Sequence, residues 1–426
     1  MEKTALKVAL VALTLVSLGC SLDGASGIGR VRNEKDLLAA FASGLKIAPV
    51  SLHYATSAQL TRLDKAGMDI WGVGRDEKKN KLAYGTMTPS QLKVAQEMGL
   101  SVNYLPDVKL ENTVDSRYHD YQETLAEMKG FAQKYPQIAR LVDIGDSWEK
   151  TQKKADRDIW ALRIGKGGNS SLDQKPSVLF LGEHHAREIA SSEFVLMLAK
   201  HLVESYEKDS EVNNAIEGRD IWLVPMVNPD GLEVAFKGSD WRKNTNTSYG
   251  GGPIGNGPSG GGVDINRNYG FSWDNSGGST LPSDPIFRGP KVFSEPETIA
   301  IRDLVLRRKP IFLMSYHSYS NLILWPWGYT SEPPKDKRLP AIGKKLAALS
   351  GYEAEQSCEL YVHGGILNDW AYGELNLLPF TTEIGGPEDG FDPPYSRMDA
   401  FWKENLPGAM YLLKIADNPD QVLSTR

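Results

Sequence analysis

From Tyr118 onward short β-rich runs alternate with helical stretches, and this alternation confines the chain to an α/β architecture. The β-rich runs are Ala139–Ile144, Ile159–Ile164, Val178–Gly182, Ile221–Pro225, Ile311–Tyr316 and Phe380–Ile384. Helical patterning fills several of the gaps, as at Ile189–Tyr206 and Glu297–Arg307, and a last helix is expected at Met398–Ile415. Strands alternating with helices build a mixed or mostly parallel sheet flanked by helices. In such sheets ligands sit at the carboxyl ends of strands. Only two cysteines are present, Cys20 and Cys358, so the fold is not a disulfide framework and a large apolar core must hold it. Net charge is −6, which gives nucleic acid no basic face to bind. The Gly-rich stretch 250–262 lacks the spacing of a phosphate loop and reads as a surface loop.

The N-terminal part is organised differently. Lys3 and Lys7 precede an apolar run, Val8–Leu18, that is too short to span a bilayer as a mature helix. Residues 1–20 therefore read as a secretory signal peptide. The Gly19-Cys20 pair fits a lipoprotein signal, whereas Ser17 occupies a place usually aliphatic in such signals. Two readings stand: a lipid anchor at Cys20, which would be the only membrane contact, or plain secretion. Both place the mature protein in the cell envelope or outside the cell. Residues 21–33 form a polar, Gly-rich linker. Residues 34–110 form a small α+β unit with an imperfect repeat. Thr56-Ser57-Ala58-Gln59-Leu60 is echoed by Thr88-Pro89-Ser90-Gln91-Leu92, Gly67 by Gly99 and Ile70 by Val102, at a constant offset of 32 positions. Each copy reads as a capped helix, a Gly stop and a strand. Residues 111–117 are a polar linker without periodicity, open to proteases, and 118–426 form the α/β domain.

Four groups of residues carry chemistry. Glu183-His184-His185-Ala186-Arg187-Glu188 follows the strand Ser177–Leu181, and a His and a Glu three apart can reach one metal ion. The two adjacent histidines leave the ligand undecided at this point. His317 ends an apolar strand and is a candidate third ligand; two His and one Glu leave one zinc position for water. Glu383 ends another apolar strand, where an acid is costly unless paired or functional, and general-base work is one such function. Arg242 and the Asn266-Arg267 pair are cationic groups able to bind carboxylates or a developing oxyanion. Each feature alone is ordinarily a packed histidine, a strand-end acid or a solvated arginine.

Taken together they resemble a family. The chain from Tyr118 to its C-terminus is similar to the carboxypeptidase A/B-type zinc metallocarboxypeptidases (funnelins), in a bacterial secreted form. The motifs that carry the resemblance are Gly182–Glu188, Val224–Gly231, Trp241-Arg242-Lys243, Val263–Tyr269, Phe287–Pro290, Phe293–Glu297, His317–Ser320 and Thr381-Thr382-Glu383, in the family's order. The resemblance implies an eight-stranded sheet and one catalytic Zn²⁺ held by His185, Glu188 and His317. It implies Glu383 as general base and Arg242 as the group that polarises the scissile carbonyl. Asn266 and Arg267 match the pair that binds the terminal carboxylate, and Tyr361 the tyrosine that closes over substrate. Arg187 matches a subsidiary substrate contact, and Tyr319 belongs with the substrate-binding set. Asn368 matches the floor of the specificity pocket and Gln356 another lining position; both are polar, which departs from the apolar or acidic floors of the family. The implied activity is removal of C-terminal residues from peptides and proteins with a free C-terminus, by a monomer. The 34–110 unit then reads as a propeptide released by an activating protease whose identity the residues do not reveal. Alternatives are a peptidase of this fold acting on cell-wall stem peptides, a non-catalytic binding module, and a surface-anchored interaction component.

Overall fold

The computed structural model describes residues 29–108, 114–251, 260–274 and 277–424. The expected signal peptide, Cys20, residues 21–28 of the first linker, 111–113 of the second and 252–259 of the Gly-rich loop lie outside the described residues. Among the described residues no helix is long and apolar enough to cross a membrane.

The larger part is built on an eight-stranded sheet. In chain order its strands are β5 (Ala139–Asp146), β6 (Asp158–Ile164), β7 (Ser177–Leu181), β8 (Asp220–Val224), β9 (Phe312–His317), β10 (Leu322–Trp325), β11 (Glu353–Gln356) and β12 (Leu378–Glu383), numbered after four strands of the N-terminal unit described below. The spatial order is β11-β10-β12-β9-β7-β8-β6-β5. The central four strands run parallel, whereas β10 is antiparallel to β12, and β6 antiparallel to both β8 and β5. The sheet is therefore mixed, with its parallel part in the middle. Parallel strands with helices on both faces are buried throughout, and β7 and β9 are buried at every position. Alternate residues of β7 feed different cores: Val178 and Phe180 pack with Phe194 and Leu198 of the helix Ile189–Ser205, while Leu179 and Leu181 pack with Ile301 and Leu304 of the helix Pro296–Arg308. Each such side chain contributes about 1.5–3 kcal/mol by leaving water. Two strands carry weak sequence signals. β11 reads Glu-Ala-Glu-Gln on the sheet edge, and β10 is a four-residue apolar run close behind β9.

The chain leaves β7 toward β8 on one side and reaches β9 on the other. A crevice forms outside the carboxyl ends of strands where the order reverses in this way. Three strand ends meet there: β7 runs into Gly182–Glu188, β9 ends at His317, and β12 ends at Glu383 directly opposite His317.

The N-terminal unit carries β1 (Ala48–His53), β2 (Asp69–Arg75), β3 (Lys81–Met87) and β4 (Val102–Tyr104) in an antiparallel sheet of order β2-β3-β1-β4. Helices Ser57–Lys65 and Pro89–Glu97 lie between strands, and in each the glutamine at the third helical position closes a capping box: Gln59 and Gln91 accept from the backbone N–H of Thr56 and Thr88. Gly67 and Gly99 follow with positive φ, the left-handed conformation that ends a helix at least cost. Edge strand β2 docks on the larger part. The Val73 N–H donates to Ser320 Oγ at 3.0 Å, and a Cβ on Gly72 would lie 2.4 Å from the Tyr319 carbonyl oxygen. The apolar core of the unit continues into Leu322, Leu324, Leu360 and Tyr361. Gly72→Val is therefore expected to unseat β2 and leave the α/β domain folded. Limited proteolysis of the full chain would show it as faster release of the N-terminal unit; a release rate equal to wild type would refute this close packing.

Candidate active site

The turn after β7 is held from three sides. The Glu183 N–H donates to Ser191 Oγ at 2.9 Å, Glu183 itself takes positive φ, and a Cβ on Gly182 would meet the Pro225 and Ser191 carbonyl oxygens at 2.7 Å. Asn228 donates from Nδ2 to the carbonyls of His184 and Lys243, and the Ala186 N–H donates to the Arg242 carbonyl at 3.0 Å. The Asn228 and Trp241-Arg242-Lys243 motifs thus serve first as struts that fix the turn.

His185, Glu188 and His317 converge, all buried, with one ligand atom from each within 4.8 Å of the others. Glu188 Oε1 lies 2.7 Å from His185 Nδ1, Glu188 Oε2 lies 2.8 Å from His317 Nδ1, and the two Nδ1 atoms are 3.2 Å apart. Two imidazole nitrogens and a carboxylate aimed at one point are the donor set of a catalytic zinc site with one position left open. Burial works against the Glu188 charge, but both histidines and their hydrogen bonds hold its carboxyl below the usual range. His185 Nε2 lies 3.3 Å from Asp264 Oδ1, an ion-pair distance. His184 points elsewhere, toward Tyr269 and Ser315, so the choice between the adjacent histidines falls on His185.

The other residues surround this cluster. Glu383, Arg242, Asn266, Arg267, Tyr319, Tyr361 and Asn368 all line the same cavity. Burial, reinforced by the nearby Glu188 charge, pushes the Glu383 carboxyl up to about 8, against the pull of Arg242 and Arg267. Arg242 is steered by Asp264, which accepts from its Nε at 2.9 Å and leaves the end of the guanidinium free to turn to the cavity. Arg267 donates to the Tyr361 hydroxyl at 3.1 Å, while its own buried Nε has no partner. Asn368 donates to Thr381 Oγ1 at 2.9 Å, and its buried Oδ1 has none.

Two expected substrate contacts sit differently. Gln356 is not among the lining residues; its Nε2 donates to the carbonyls of Trp327, Thr330 and Glu332, so the amide organises a loop. Arg187 is sealed from the cavity by the N-terminal unit. It donates to both carboxylate oxygens of Asp69, at 2.6 and 2.8 Å, and to Asp240 at 3.3 Å, with the Phe391 ring 4.2 Å from its guanidinium carbon. Ile70, Trp71 and Gly72 of β2 complete the cavity wall. Reasoning from the sequence missed Asp264, which lay in a quoted motif without a role, and Phe391 and His363. His363 lines the cavity and is kept neutral, lowered to about 3 by burial and then by Arg267. A lone His or Phe in a loop gives no periodic signal.

The zinc carboxypeptidase family model matches residues 124–408. The chain belongs to this family. It is 29% identical to a zinc carboxypeptidase of Saccharothrix mutabilis subsp. capreolus over 78% of the chain and 79% of that protein. It is 34% identical to carboxypeptidase B of Astacus astacus over 63% of the chain and 86% of that protein. Among solved structures it shares its fold with the carboxypeptidase A of Helicoverpa armigera, with a TM-score of 0.71 at 22% identity over 89% of the chain and 98% of that one. It shares the fold as well with thrombin-activatable fibrinolysis inhibitor, with a TM-score of 0.68 at 22% identity over 88% of the chain and 100% of that one. Zinc carboxypeptidases are hydrolases that act at peptide C-termini, and zinc is their cofactor; the buried His185–Glu188–His317 cluster is where this chain would hold it. His317→Ala is expected to leave the folded chain with little of the single zinc equivalent that wild type retains through dialysis. Elemental analysis reads this directly, and full retention would remove His317 from the ligand set.

Proposed function

We propose that this chain is the precursor of an exported zinc carboxypeptidase that uses Glu383 as its general base. The observation that carries the reading is that Glu383, Arg242, Arg267 and the metal cluster all face one cavity at the carboxyl ends of β7, β9 and β12. Bound zinc supplies Lewis acidity, which acidifies water and polarises a carbonyl. Glu383 accepts the proton of the attacking water and later returns it to the leaving amine. Burial strengthens the Glu383 carboxylate as a base by raising it above the ordinary carboxylate range. Arg242, oriented by Asp264, stabilises the oxyanion. Arg267 and Asn266, with Tyr361, whose hydroxyl accepts from Arg267, clamp the terminal carboxylate. A mid-chain segment offers no such charge, so cleavage is confined to the C-terminus.

The pocket beyond the clamp has Asn368 and Thr381 on its wall. An unpartnered amide oxygen in a buried wall favours a substrate side chain that can hydrogen-bond to it. Polar or mixed C-terminal side chains are the preference this supports, without the sharp Phe or Leu selectivity of an apolar floor.

The precursor reading is supported by the way β2 meets the site. Asp69 occupies Arg187, and Trp71 stands in the cavity wall, its indole N–H donating to Asp69. Cleavage within 111–117 would release this cover. The end of the linker and the residues just after it are anchored independently: the Tyr395 N–H donates to Asp115, the Tyr118 hydroxyl donates to the Pro393 carbonyl, and His119 bonds Glu193. The new terminus would thus stay in place. Export is assigned to residues 1–20, with Cys20 either lipidated or left free in plain secretion.

The test is mass spectrometry of L-peptide digests by the full chain before and after nicking in the linker. Stepwise loss of C-terminal residues is expected, rising on nicking and abolished by a chelator. Glu383→Gln should lower kcat/KM by about 10²–10⁴-fold with zinc content unchanged. Asn368→Asp should shift preference toward Lys and Arg C-termini. No cleavage of any L-peptide by zinc-loaded, nicked protein would sink the reading and redirect it to cell-wall stem peptides.

A further inference from the structure

His184, the neighbour that lost the ligand position to His185, is fully buried and not used by the chemistry above. It closes a chain of contacts behind the metal cluster. His317 Nε2 lies 3.0 Å from Ser315 Oγ, Ser315 Oγ lies 3.1 Å from His184 Nδ1, and His184 Nε2 lies 3.0 Å from the Tyr269 hydroxyl. The His184 and His317 rings stack at 5.5 Å with an interplanar angle of 16°. His317, Ser315, His184 and Tyr269 are each no more than 2% exposed, so water does not substitute for any link.

The direction of these bonds follows from one requirement. His317 turns Nδ1 to Glu188 and His185. To offer a lone pair there, the ring must carry its proton on Nε2. That N–H then donates to Ser315 Oγ. The buried Ser315 hydroxyl hydrogen also needs an acceptor, and His184 Nδ1, 3.1 Å away, takes that role. His184 must in turn hold its proton on Nε2, which donates to the Tyr269 hydroxyl. A chain running the opposite way would protonate His317 at the ligand atom. We infer that His184, with Ser315 and Tyr269, is a positioning relay that fixes the tautomer and ring orientation of His317 and so sets how tightly the chain holds zinc. The relay rests on the ligand assignment above.

The experiment is zinc release from the full chain into excess chromophoric chelator, alongside ¹⁵N NMR of histidine-labelled protein. Ser315→Ala is expected to speed release about 10–100-fold, with Ser315→Thr restoring it. His184→Leu should speed release as well, whereas His184→Asn, whose oxygen can replace Nδ1 as acceptor, and Tyr269→Phe each lose only the link between His184 and Tyr269 and should fall between. In the NMR spectrum, His184 and His317 should both be Nε2–H tautomers. Wild-type release rates in both Ser315→Ala and His184→Leu would overturn the relay, and so would a His184 protonated on Nδ1. An effect of Ser315→Ala with none of His184→Leu would also overturn it, since the chain would then end at Ser315. If His184→Leu does not fold, Tyr269→Phe and the tautomer of wild-type His184 decide the matter alone. A wild-type chain that takes up no zinc would instead overturn the ligand assignment.

Discussion

A carboxylate, Glu188, is buried between two imidazoles, and much of the surrounding structure serves to keep it there. Removing a charge from water costs several kcal/mol unless it is paired and hydrogen-bonded. The pairing is supplied by groups that are remote in sequence. His185 comes from the turn after β7 and His317 from the end of β9, 132 positions away. Arg242 adds positive charge from a third segment, 3.9 Å from Glu188, and Asp264 orients Arg242 and lies 3.3 Å from His185 Nε2. Misplacing any of these would leave an uncompensated charge in the interior. The rigid turn at Gly182–Glu188, locked by Ser191, Asn228 and close backbone contacts, is the physical answer to that cost.

The same electrostatic logic governs how the N-terminal unit sits on the site. Arg187, next to Glu188 in the chain, is fully buried and needs carboxylates. One comes from the catalytic part, Asp240, and the other, Asp69, from β2. The bulge between Ile70 and Gly72 bends β2 at the point where Asp69 reaches Arg187 and Trp71 meets the cavity. Gly72 permits the backbone approach that makes both contacts simultaneous. A unit that shares apolar core with Leu360 and Tyr361 and donates a buried acid to the catalytic part is bound by more than its linker.

The parts of the fold legible in the sequence are those whose burial leaves a one-dimensional trace. β7 and β9, buried on both faces, read as mostly apolar runs, and the helix Met398–Ile415 and the two capping boxes of the N-terminal unit have local signatures. The edge strand β11 was hidden because Glu353-Ala354-Glu355-Gln356 has one face in solvent and is ordered by pairing with β10. Among site residues, His185, Glu188, His317 and Glu383 stand at strand ends in recurrent motifs, so their grouping could be expected. Gln356 could not be placed, because whether a side chain faces a cavity or a loop of carbonyls depends on the position of Trp327 to Glu332.

The sequence by itself determined the alternation of strands and helices, the set of metal-ligating and acid-base residue types, and the order of their motifs, since these depend on local patterning and composition. Tertiary structure alone decided that Arg187 is satisfied by Asp69, and that His184, Ser315 and Tyr269 form one buried chain. The reason is distance along the polypeptide. Hydrogen bonds and ion pairs act over about 3 Å, and residues separated by 85 to 131 positions reach that range only when strand order and register bring them together.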